Sequence, residues 1–292
     1  MTATARRDLV ASYYTLTGTM VGEPPRFSFA ERVAAASAAG FSGIGLHWDD
    51  YVSMRDRGTS DADLLAILDE HGLRVAEIEF LWNWAYSDDV RVQESTEMEA
   101  RLYAMVDAFE PHHLNVGDIN MAEELPRLDV VAERFAAVCN RAAEHGVEVA
   151  LEFLPWSGIP DLATALAVVT TAGRANGGIL VDAWHYFRGR PDDALLRSAA
   201  AQHIKCVQLS DGDAQPDGDY MSDTILHRRI PGDGAFDLIG LLQTLWEGVD
   251  PAVPCSVEIM STDEQARPVS EIARRAHDAT ASVVASALGM ST

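Results

Sequence analysis

Along the chain, short apolar runs of strand length alternate with longer stretches whose apolar residues recur at helical spacing. The pattern predicts strands at "LVASYYTL" (9–16), "GIGLHW" (43–48), "RVAEIEFLW" (74–82) and "HHLNVGDI" (112–119). Four more follow at "VEVALEFL" (147–154), "GGILVDAW" (177–184), "KCVQLSDG" (205–212) and "PCSVEIM" (254–260). Helical patterns between them include residues 29–40, 61–72, 128–146, 161–173, 236–248 and 271–289. Gly40, Gly72 and Gly146 stand just past such patterns, where helices commonly end on a left-handed residue. No Gly/Ser/Pro linker or low-complexity tract breaks the alternation, so residues 1–292 read as one domain.

Strand–helix units in this number, in a chain of this length, predict an α/β fold closed into a (β/α)8 TIM barrel. A doubly wound open sheet shares the alternation. It loses ground because Gly18 and Gly22, after the first strand, lack the glycine spacing of a phosphate-binding turn.

In a barrel, chemistry gathers at the carboxyl ends of the strands. The last four strands each end on an oxygen donor: Glu152, Asp182, Gln208 and Glu258. Such a set suits a divalent cation, Mn2+ or Mg2+ ahead of Co2+ or Zn2+, because zinc prefers more nitrogen or sulfur. Three carboxylates around one divalent ion call for a further cation, and "LHRRIPGDG" offers Arg228 and Arg229. A plain solvated loop is the other reading of these arginines. His185 stands three residues after Asp182, placed to donate to a substrate oxygen.

Other strand-end residues carry blander readings. Glu77 and Glu79 read as barrel-mouth charges paired to arginines, and Asp211 as a turn or cap residue. His47 stays open between lining a pocket and satisfying a backbone carbonyl. Trp82, Trp84 and Tyr86 stay open between a sugar-stacking floor and a hydrophobic cover or dimer contact. Trp156 and Trp184 are expected as pocket walls.

Lys+Arg 22 against Asp+Glu 45 gives a formal net charge of −23, which argues against nucleic acid or an anionic membrane as partner. The cysteines Cys139, Cys206 and Cys255 lack paired spacing and read as buried reduced thiols. "MTATARRDLV" lacks the apolar core of a signal peptide, and no apolar run reaches membrane-spanning length. A cytoplasmic protein is the resulting expectation, and the aromatic surface is compatible with a homo-oligomer.

The segments "ALEFLPW", "LVDAWHYF", "VQLSDG", "HRRIPGDG" and "VEIM" resemble the xylose isomerase-like TIM-barrel superfamily. This sugar phosphate isomerase/epimerase group includes ketose 3-epimerases, inosose dehydratase, 3-dehydroshikimate dehydratase and, more remotely, endonuclease IV. The resemblance implies that Glu152, Asp182, Gln208 and Glu258 are metal ligands. Gln208 departs from the epimerases, where histidine is usual, and is similar to some dehydratases of the group. The resemblance further implies that Glu152 and Glu258 are the acid/base pair, with His185 and Arg228 contacting substrate oxygens. It points to enolisation of a keto-sugar or cyclitol, unphosphorylated by preference since no anion-binding loop is evident. The outcome is isomerisation or epimerisation, with β-elimination by a carbon–oxygen lyase as the alternative. A DNA endonuclease conflicts with the charge and the histidine-poor ligand set, and a non-catalytic module conflicts with an intact set.

Overall fold

The structure, a computed structural model, describes residues 8–120 and 125–290. The first seven residues of the segment read above for a missing signal peptide therefore lie outside the described residues. Eight parallel strands close into one barrel in sequence order: β1 (Leu9–Ala11), β2 (Gly43–His47), β3 (Arg74–Leu81), β4 (His113–Gly117), β5 (Glu148–Glu152), β6 (Gly177–Asp182), β7 (Ile204–Leu209) and β8 (Cys255–Val257). Closure is made by β1 against β8, in the register Leu9↔Cys255, Val10↔Ser256 and Ala11↔Val257. Helices wrap the outside, and the long helix Val269–Ala287 packs beside Phe29–Ala39 to cover the closing seam.

Local signals account for many helix ends. Ser28 with Glu31, and Ser60 with Asp63, form reciprocal caps at helix starts. Gly40 and Gly72 close the same two helices at φ 105° and 63°, which a side chain would resist. One expectation fails in part. The run 9–16 is not all strand: the chain leaves β1 at Ala11 and turns into the short helix Tyr13–Thr17. Its apolar residues cannot distinguish a strand from a buried helical turn.

Side chains alternate across a strand, and here the two faces differ sharply. Ile44, Leu46, Leu114, Val116, Val149, Leu151, Ile179, Val181, Val207 and Val257 join the continuous apolar layer under the helices. The opposite face carries a small separate apolar cluster, Ala150, Leu180 and Cys206. Around that cluster the interior is polar: Ser12, Glu77, Glu79, His113, Asn115, Gln208 and Ser256 are all at most 3% exposed. Gly45 on β2 leaves room for this column, because a Cβ there would stand 2.9 Å from Glu79 Oε1 and 3.1 Å from Glu77 Oε1.

Candidate active site

The carboxyl ends of the strands open into a cavity of about 550 Å3. Glu152, Gln208, Glu258, His185 and Arg228 line it, with Tyr14, His47, Trp48, Trp82 and Trp156 among its walls. Register explains the convergence, since Asp182 pairs with Gln208 and Gln208 with Ser256, two residues before Glu258.

Asp182 ends β6 and also caps the helix Ala183–Arg188 that follows. Its Oδ1 accepts from Trp184 N–H at 2.8 Å, leaving Oδ2 for the site. That helix carries His185 back over the barrel. His185 Nε2 lies 3.3 Å from Glu152 Oε1 and 3.4 Å from Asp182 Oδ2. Trp156 meets the His185 ring edge-on, and the Tyr220 hydroxyl stands 3.4 Å from Nδ1.

Arg228 is held by its backbone as well as its side chain. Its N–H donates to Met260 O at 3.0 Å, and Nε donates to Thr224 O at 3.1 Å. Nη1 then reaches Asp182 Oδ2 at 2.8 Å and Glu258 Oε2 at 3.0 Å. The guanidinium is only 1% exposed and faces the Trp184 ring. Glu258 Oε1 accepts from Ser12 Oγ at 3.2 Å, and the same hydroxyl lies 3.0 Å from Glu79 Oε1.

Burial dominates the electrostatics. It pushes the Glu152 carboxyl up to about 8, helped by neighbouring Asp182 and opposed by Arg228. Glu258 is raised well above the carboxylate range by burial, again opposed by Arg228. Burial holds His185 down at about 4, so its imidazole is neutral near pH 7. Three carboxylates and one guanidinium leave two negative charges when all are ionised, which one divalent cation would balance. Glu152, Asp182 and His185 each offer a donor atom, all within 4.8 Å of one another. The donor set therefore fits a divalent metal, with nitrogen from His185 available beside the oxygens.

The site gathers Glu152, Asp182, Gln208, Glu258, His185 and Arg228, as the strand ends predict. Several neighbours are placed differently. Arg229 points outward to Asp213, so only one of the two arginines enters the site. Glu77 and Glu79 are not paired to arginines: Glu79 lines the cavity, where its Oε1 accepts from Tyr13 N–H and shares the Ser12 hydroxyl with Glu258, and Glu77 lies in the barrel interior. Trp184 is not a cavity wall but a buried support, donating from Nε1 to Thr224 Oγ1. Trp84 packs on Phe135 and Tyr86 donates to Asp118, while Trp82 of the same segment lines the cavity. His47 lines the cavity, with Nδ1 accepting from Asp49 N–H, and burial lowers it to about 4. Asp211 organises its loop by accepting from Gly212, Gly232 and Phe236 N–H, as a turn residue should. Sequence reasoning missed Ser12, because its run reads as continuous strand; the lone polar residue after "LVA" was the available signal.

Comparison with known proteins agrees with this architecture. The chain is similar to the inosose isomerase of Halalkalibacterium halodurans, 31% identical over 146 residues, covering 49% of this chain and 50% of that protein. The inosose isomerase of Bacillus subtilis is 29% identical over 152 residues, covering 51% and 53%. The chain thus spans about half the length of the curated relatives it matches. Among solved structures, the IOLI protein with a zinc atom shares the fold at a TM-score of 0.83 and 19% identity, covering 97% of this chain and 100% of that one. A D-allulose 3-epimerase from Methylomonas sp., in complex with D-allulose, does so at 0.68 and 15%, covering 94% and 96%. A family model matches residues 33–280, and the chain belongs to the xylose isomerase-like TIM barrel family.

Proposed function

We propose that the protein is a divalent-metal-dependent isomerase or epimerase of a keto-sugar or cyclitol, moving a proton on the carbon next to a carbonyl. The observation that carries this reading is the pair Glu152 and Glu258, two buried carboxyls on strands three apart, facing one cavity beside His185 and Arg228. With no cation bound, burial raises both carboxyls above the ordinary carboxylate range, which suits them to hold and pass a proton. Glu152, Asp182, Gln208 and Glu258 would hold the metal, which supplies Lewis acidity toward a carbonyl oxygen when bound. Arg228 Nη1 is fixed to present positive charge where enediolate oxygens develop. Neutral His185 can turn its Nε2 between a carboxylate and a substrate hydroxyl. Trp48, Trp82 and Trp156 offer apolar faces to a sugar ring and exclude water from the carboxyls.

The inosose isomerase names of the partial relatives support a cyclitol, and the zinc in the IOLI structure supports a divalent metal. Gln208 favours a second reading, a carbon–oxygen lyase that expels a β-hydroxyl after the same proton abstraction. Incubating purified protein with inososes and ketoses in heavy water separates the two. Isomerase action gives deuterium at the carbon next to the carbonyl and a new stereoisomer or regioisomer. Lyase action gives an ultraviolet-absorbing conjugated carbonyl. Neither product across the panel would end both readings.

A further inference from the structure

Below the mouth, one layer deeper in the barrel, a second group of donors converges. Glu77 on β3 and His113 on β4 are register partners, and Cys206 lies on β7. His113 Nε2 stands 3.4 Å from Glu77 Oε2, and Cys206 Sγ stands 3.9 Å from the same oxygen. One donor atom from each residue falls within 4.8 Å of the others, and all three side chains are fully buried. Donors around a tetrahedral zinc ion, bonded at about 2.0–2.3 Å, sit roughly 3.3–3.9 Å apart.

Cys206 Sγ donates to Glu77 Oε2 and contacts Ser256 Oγ, but other atoms of the group are short of partners. His113 Nε2 approaches Glu77 Oε2 without hydrogen-bond alignment and has no other partner, and Glu77 Oε1 has none. Asn115 Oδ1, two residues on along β4, is equally unpartnered. Three side-chain polar atoms in this buried space thus lack a hydrogen-bond partner. His113 is already oriented from behind, with Nδ1 3.2 Å from His112 Nδ1, as ligating imidazoles usually are.

We propose that Glu77, His113 and Cys206 form a second, interior metal site for zinc or a zinc-like cation, separate from the oxygen-rich mouth. Mixed nitrogen, oxygen and sulfur donors select a borderline ion. Binding releases the thiol proton, and the carboxyl proton where one is held, to solvent. The site lies roughly 7 Å below the Asn115 and Gln208 layer, two strand residues down. Enclosed by the barrel, its ion enters as the chain folds and then stays. Its role is structural, tying β3, β4 and β7 together beneath the mouth.

The full-length protein, unfolded in chelator and refolded with Co2+, tests this. A thiolate ligand gives a near-ultraviolet charge-transfer band that the mouth, lined by methionines but by no cysteine, cannot produce. The expected result is such a band in the wild type, kept in Glu152→Gln and absent in Cys206→Ser, with one metal equivalent surviving native dialysis against chelator. A wild type without the band, or with no chelator-resistant equivalent, overturns the proposal. A band that survives in Cys206→Ser also overturns it. Should Cys206→Ser fail to fold, His113→Asn serves in its place, and the wild-type band and retained equivalent remain decisive. Loss of turnover with the interior ion in place would count against the proposed function and not against this site.

Discussion

Leu46, Leu114, Leu151 and Val181 on the outer face of the barrel belong to the continuous apolar layer, whereas on the inner face of the same sheet Glu77, Glu79, His113 and Gln208 are buried nearly as deeply among polar groups. Both faces come from the same strands and both exclude water. They differ in what burial does. Outside, it stabilises by roughly 25 cal/mol per Å2 of apolar surface. Inside, it raises Glu77 to about 7 and Glu152 to about 8 and lowers His113 to about 3, which marks groups held against their preferred charge. The outer face carries the fold, and its stability allows the inner face to hold reactive groups poised.

That contrast can be attacked from either side. The largest expected effect is at Arg228. Arg228→Met leaves Asp182 and Glu258 facing each other without their guanidinium, and should lower the stability of metal-free protein by about 3–5 kcal/mol in urea titration. Metal-loaded protein should lose clearly less, because a cation then compensates the same carboxylates. On the outer face, Leu114→Ala should cost about 2–5 kcal/mol by the same measurement, with metal making no difference to the loss. Gly45→Ala intrudes on the inner column, at 2.7 Å from Tyr13 N, and should cost about 1–3 kcal/mol.

The smallest effect is a pH dependence of melting in chelator-treated protein. With their carboxyls raised from 4.5 to about 8 and about 7, Glu152 and Glu77 keep protons in the fold that the unfolded chain has already released. Stability must therefore rise as pH falls from about 8 to about 6.5. Below 6.5 the unfolded chain protonates its histidines, while His47, His112, His113 and His185 stay neutral in the fold, which opposes the continuing carboxyl gain and flattens the rise. A melting temperature that falls steadily between pH 8 and 6.5 would deny the interior carboxyls this role.

The same contrast explains what was legible in the chain. Outward residues announce themselves as aliphatic runs, so all eight strands and the barrel closure could be read from 292 letters. The last four strands end in lone oxygen donors after such runs; Glu152, Gln208 and Glu258 line the mouth cavity, and Asp182 is joined to Glu258 through Arg228. The interior column was misread because its members look like surface residues: Glu77 and Glu79 alternate with apolar positions as solvent-facing charges would. Only closure of the sheet decides which face is inside. Arg228 and Arg229 are adjacent and identical in type, and it is the backbone bridge between Asp211 and Arg229 that sends one inward and the other out. Trp184 looked like a wall because it neighbours Asp182, yet helical geometry swings it behind the site while His185, one residue on, faces the cavity.

Proton transfer by Glu152 and Glu258 is the central claim, and deuterium wash-in measures it directly. Metal-loaded wild type, incubated with the ketose or inosose it turns over in heavy water, should incorporate deuterium at the carbon beside the carbonyl. Glu152→Gln and Glu258→Gln should each slow that incorporation by about 10^2–10^4-fold while keeping the wild-type circular dichroism spectrum. Incorporation at the wild-type rate in both variants would contradict the account.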